Sequence, residues 1–188
     1  MGDQNMKPPS IATKDPKPVA SKRLASDAAE RNQAMIRCIP RGICSWNFAL
    51  DGAGYQGILA FGWMGEQGTI TVDGIQFDIQ KYGAFSGHWT LNHEGQEVAS
   101  AQKSTAFTRT FEIQDPRGEL VLRAKSPLGR SFRLERSNDV IATMFPDHAF
   151  TRRATIAILT KQWDLPTLYF SFWLVVLMWR RAAQSNNG

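Results

Sequence analysis

The sequence predicts a mainly β protein, a closed antiparallel barrel of about 11–12 strands around one hydrophobic C-terminal helix. Three observations predict it. From residue 46 to 159, short alternating or apolar runs are separated by turn signals. Several of those signals are tight enough to reverse the chain, Asp73-Gly74 being the strongest. The stretch from Leu165 to Trp179 then holds 15 residues and no charge. A meander has two open edges, and closing it into a barrel removes both. A barrel of this many strands is too wide for its own side chains to fill. The apolar stretch is the one segment suited to occupy the axis.

Composition sets the frame. The 188 residues are enough for one domain and a tail, and 43% hydrophobic content supports a real core. The net charge is +5, which raises a nucleic-acid or membrane reading. The excess is diffuse along the chain, so no nucleic-acid partner is expected. Residues 1–39 read as a disordered, basic, proline-containing tail, with Pro8, Pro9, Pro16 and Pro18 among lysines. A short helix over 26–37 fits a cap at Ser26 or Asp27, and the tail could serve a protein partner. The barrel domain is expected over 40–182, with a flexible end over 183–188. The N-terminus has no apolar secretory core. Cys38 and Cys44 lack metal-ligand spacing and read as reduced thiols.

The strands follow in order. Residues 45–50 meet the Asp51-Gly52-Ala53-Gly54 turn, and 55–63 form an apolar run bent at Gly57 and Gly62. Residues 69–72 reach Asp73-Gly74, and Ile75, Phe77 and Ile79 alternate with polar residues on the return. Trp89 and Leu91 lead into Glu94-Gly95, with Val98 beyond. Residues 107–114 run to Asp115-Pro-Arg-Gly118, a type I turn with proline second and glycine fourth. Residues 119–125 return, 127–129 turn, and 131–136 run to Asn138-Asp139. Residues 140–145 and 151–159 are the last two strands. Residues 89–104 and 111–126 share one pattern of aromatic, strand, glycine turn, strand and Lys-Ser, which suggests repeated hairpins.

The C-terminal segment reads as a helix over 165–181. Asp164 can cap it, Pro166 falls in its first turn, and Arg180 and Arg181 suit its negative end. Fifteen residues span only about 22 Å as a helix, short of the roughly 30 Å of a bilayer core. A buried helix is therefore preferred, with a tail anchor as the alternative. Trp173 and Trp179 are assigned structural roles within it.

The densest basic stretch runs from Arg117 to Arg136. Strand alternation turns Arg123, Lys125 and Arg133 outward, and the hairpin makes them neighbours. Like charges across a sheet repel mildly, and a bound lipid phosphate would relieve that. Arg123, Lys125, Arg130 and Arg133 are thus the candidate anion- or lipid-binding residues. Arg109 shares strand parity with Phe107, Phe111 and Ile113, so it needs a partner and reads as structural, at the barrel mouth. No catalytic constellation stands out. His88, His93 and His148 have no ligand spacing, and no glycine-rich phosphate loop or nucleophile elbow is present. No enzyme, metal or cofactor is expected.

The hairpin order, the Asp-Gly turns, the strand ends at Lys103 and Lys125 and the helix from Leu165 together resemble the tubby C-terminal-like superfamily. That group includes tubby proteins, phospholipid scramblases and LURP-one-related proteins. The resemblance covers roughly residues 46–181. It implies a closed barrel around a hydrophobic helix and a non-enzymatic module. It also implies peripheral association with anionic phospholipid membrane, and the reduced thiols suit the cytoplasm. Two alternatives stand beside it: a tail-anchored membrane protein using Leu165 to Trp179, and a barrel that binds an apolar ligand.

Overall fold

A computed structural model describes residues 34–185 except 44, 64, 84, 85, 106 and 107. Among the described residues, twelve strands lead to one helix. They are β1 (Ala34–Pro40), β2 (Phe48–Gly52), β3 (Tyr55–Phe61), β4 (Gly68–Val72), β5 (Ile75–Tyr82) and β6 (His88–His93). The second half is β7 (Gln96–Lys103), β8 (Thr110–Asp115), β9 (Gly118–Ala124), β10 (Phe132–Arg136), β11 (Asp139–Pro146) and β12 (Ala154–Ile158). The helix α1 (Leu165–Ser185) follows. Each strand pairs antiparallel with the next, and β12 pairs with β1, so the barrel is closed.

The strand order makes the two poles unlike. At one pole β2–β3, β4–β5, β6–β7, β8–β9 and β10–β11 are joined by two-residue turns. Asp73 and Gly74 have φ of 45° and 87°, and Glu94 and Gly95 have 50° and 77°. Both central residues are left-handed, as the hairpin twist demands. At the other pole the connections are 41–47, 62–67, 83–87, 104–109, 125–131 and 147–153, each of five to seven residues. β12 ends at the tight-turn pole. From there α1 runs back through the barrel to the long-loop pole.

The helix fills the axis. Asp164 Oδ2 accepts from Thr167 N at 2.9 Å, capping the first turn. Every residue from Thr167 to Leu177 is buried. The buried Ser171 hydroxyl is satisfied within the helix, since Ser171 Oγ donates to Thr167 O at 2.8 Å. Phe172 meets Phe48 edge-on at 5.5 Å, and Trp173 stacks on Phe61 at 4.5 Å. Tyr169 and Trp173, one turn apart, press against β3 and β4 where those strands carry glycine. A Cβ on Gly57 would lie 2.3 Å from Tyr169 Cε2, and one on Gly68 would lie 2.9 Å from Trp173 Nε1. The glycines are therefore the grooves into which the two rings fit.

Several boundaries differ from the sequence reading. Residues 34–37 belong to β1, not to a helix or tail, so the barrel begins at Ala34 rather than at 40. Ile36 and Cys38 point inward while Met35, Arg37 and Ile39 face out. Backbone pairing with β2 and β12 settles a segment whose alanine-rich approach looks helical. The helix continues to Ser185 rather than 181. The strand expected from 107 starts at Thr110, and the one expected from 151 starts at Ala154. The rest of the expected 26–37 helix, the proposed partner-binding tail, Phe107 and Cys44 lie outside the described residues.

Both alternatives meet the same obstacle. The stretch proposed as an anchor is the barrel's own core, and it occupies the volume that an internal apolar ligand would need. No helix among the described residues is long and apolar enough to cross a membrane.

Candidate functional site

Charge that looks diffuse in sequence is gathered by the fold. The six long loops carry Arg41, Arg109, Lys125, Arg130, Arg152 and Arg153 against only Glu66 and Asp147. The end of α1 adds Arg180 and Arg181 at the same pole. Cations there also complement the negative end of the helix dipole. The tight-turn pole, with the 159–164 connection, carries Arg117 and Lys161 against Asp73, Glu94 and Asp164.

Most of these cations are held in fixed geometry. Arg109 Nη1 donates to Gly129 O at 2.6 Å and Pro127 O at 2.9 Å, while its guanidinium lies 5.1 Å over Phe132. Arg130 Nη1 donates to Thr151 O at 2.9 Å and Ala149 O at 3.1 Å, 4.8 Å over Trp179. Trp179 Nε1 donates in turn to Arg130 O at 2.9 Å. Arg152 Nη1 donates to Ser45 O at 2.7 Å, over Trp46. Each arginine ties one loop to the next through carbonyl oxygens and an aromatic face. Among the described residues none of the three has a carboxylate within ion-pair distance.

Arg181 is different. It forms a two-point pair with Glu66 at 2.5 and 2.6 Å, and Lys81 Nζ reaches the same carboxylate at 2.7 Å. Burial alone would raise the Glu66 pKa, but the bonds from Arg181 and Lys81 outweigh it and hold the carboxyl below its usual range. Burial, then the neighbouring Arg181 charge, lowers the Lys103 pKa. Burial also lowers those of Arg109 and Arg130, and both guanidiniums remain charged.

Among the described residues, the same pole carries the most exposed apolar side chains. Ile43 is 93% exposed, Trp63 91%, Leu128 97% and Phe150 fully. They stand on four different long loops. The other exposed large hydrophobics, on or beside the barrel wall, are no more than 52% exposed. Between the loops and the last turns of α1 lies a groove of about 890 Å3. Lys103, Arg109, Arg130, Arg152 and Arg181 line it together with Trp46, Leu128, Met178 and Trp179, and among the described residues no acidic one does.

The candidates named from sequence fall in two places. Arg123 and Arg133 are direct cross-strand partners on the outer wall. Arg133 Nε, however, pairs with Glu135 at 2.5 Å, which already matches its charge. Lys125 opens the 125–131 loop, and Arg130 turns to the groove. Arg109 sits at the mouth, bonded to carbonyls of the 125–131 loop rather than to a carboxylate or the helix. Trp173 is wholly buried, and Trp179 bridges core and groove. Sequence reasoning missed Arg152, Arg181 and the four apolar tips. Its available signal was a large apolar residue inside a turn-rich segment, such as Leu128 after Pro127 or Phe150 before Thr151.

No protein-family model, no curated protein and no solved structure matches this chain.

Proposed function

We propose that the chain is a non-enzymatic, tubby-like barrel module that docks peripherally on anionic phospholipid membrane, long-loop pole first. One observation carries the reading. Among the described residues, the four most exposed large apolar side chains crown the pole where the basic residues collect. Apolar tips among cations are the composition of a surface that rests at a lipid interface. Each Lys or Arg near an anionic leaflet contributes about 1 kcal/mol, and the tips add apolar burial. Neither term alone gives firm attachment, and together they do.

The plainer alternative is that the arginines only staple loops. Stapling accounts for Arg109, Arg130 and Arg152. It gives no reason for four exposed apolar tips at one pole. Anionic lipid is concentrated in the cytoplasmic leaflet, so the reading favours a cytoplasmic location. The reading moves the lipid contact from the Arg123 and Arg133 wall to the loops, with Lys125 and Arg130 retained.

The test is cosedimentation of the full chain with vesicles of phosphatidylcholine, with and without 30% phosphatidylserine. Binding that needs the anionic lipid and weakens with salt supports docking. Equal recovery with both vesicle types, or with neither, sinks it.

A further inference from the structure

Docking by loop tips does not require a groove, yet the pole has one of about 890 Å3. Its size is that of a small-molecule site. Its lining is divided. One part is cationic, and the other is apolar, formed by Trp46, Leu128, Met178 and the alanines at 182 and 183. The cations are also preorganised. Arg109 and Arg130 make their hydrogen bonds through Nη1, and among the described residues their Nη2 and Nε groups are uncommitted. A guanidinium has five N–H donors in a fixed fork. Two such forks, each locked by carbonyls of a neighbouring loop, present ready donors at little further entropic cost.

We infer that this groove holds a single-chain anionic amphiphile, a fatty carboxylate or an alkyl phosphate. Its head takes the spare donors of Arg109 and Arg130. Its chain lies on Trp46, Leu128 and Met178. The inference deepens the docking reading and rests on it for the ligand's source, the membrane the pole faces. A bare phosphate would leave the apolar wall unused. A neutral alcohol would leave both guanidiniums without an anion.

The experiment follows tryptophan emission, since Trp46 and Trp179 line the groove, with calorimetry in parallel. The full chain is titrated with dodecyl phosphate and laurate below their micellar concentrations, with dodecanol below its solubility limit, and with inorganic phosphate. The expected result is one-to-one binding of dodecyl phosphate or laurate, at least about 10-fold tighter than dodecanol or inorganic phosphate. The tighter of the two anions identifies the head group. Ala183→Trp fills the groove without altering charge or tips, and Ser185→Trp does so from an exposed position. Either variant, with an unchanged far-ultraviolet circular dichroism spectrum, loses the amphiphile and keeps vesicle binding. Vesicle binding without amphiphile binding overturns the groove and leaves docking intact. Equal affinity for inorganic phosphate or dodecanol overturns it as well. Loss of vesicle binding in the unsubstituted chain removes the docking reading itself.

Discussion

At the tight-turn pole, five two-residue turns reverse the chain with the fewest residues that geometry allows, and acidic residues there outnumber basic ones. At the long-loop pole, the same twelve strands are joined by six connections of five to seven residues, rich in arginine and tipped with apolar side chains. The barrel needs only the first kind of connection. A two-residue hairpin costs little entropy and exposes little apolar surface. The second kind orders more chain and leaves Ile43, Trp63, Leu128 and Phe150 in water. Long, apolar-tipped loops held rigid by arginine staples add nothing evident to the barrel's closure. That difference is why the function is placed at one end of the molecule.

The comparison can be broken most sharply at the tips. Trp63→Ser, Leu128→Ser and Phe150→Ser together remove three apolar groups from the interface. Vesicle affinity should fall by roughly two orders of magnitude, at about 1 kcal/mol or more per side chain. Thermal stability should stay within a degree or two, because none of the three is buried. The cations come next. Arg41→Gln with Arg153→Gln, or a rise in salt to 0.5 M, should weaken vesicle binding about 10-fold. Neutralising Arg123 and Arg133 on the wall should cost less, since Glu135 already pairs with Arg133.

Two further predictions concern the frame rather than the surface. Gly57→Ala puts a methyl 2.3 Å from the Tyr169 ring. It should destabilise the barrel by about 1–3 kcal/mol in urea unfolding and leave vesicle affinity of the folded protein unchanged. Glu66 should give the smallest effect. Its folded pKa is depressed by Arg181 and Lys81, burial opposing. Its contribution to stability is therefore full above the unfolded glutamate pKa of about 4.3 and lost as pH falls through the lower folded value. Glu66→Gln should flatten that acid limb of Tm against pH. An unchanged limb would mean the pair contributes nothing there.

Much of the frame was legible in the sequence because it is written locally. Asp73-Gly74 and Glu94-Gly95 announce their turns by backbone conformation alone. The uncharged stretch from Leu165 announces a helix that must be covered. β1 was illegible because its strand character comes from partners 8 to 124 residues away, such as Ile36 with Gly52 and Ala34 with Ile158. The candidate site was illegible for the same reason. Arg109, Arg130, Arg152 and Arg181 lie far from one another in sequence, and only barrel closure makes them line one groove. The basic stretch from Arg117 to Arg136 drew notice by density. Its wall members are partly neutralised, and its loop members join a larger set.

The most direct test places a nitroxide at each pole. In a Cys44→Ser background, Leu128→Cys and Glu94→Cys are labelled separately, and power-saturation spectroscopy reads their depth on phosphatidylserine-containing vesicles. The account predicts that the label at 128 enters the boundary of the hydrocarbon while the label at 94 stays in water. A bound protein whose label at 94 is the deeper, or whose two labels both remain aqueous, would contradict it.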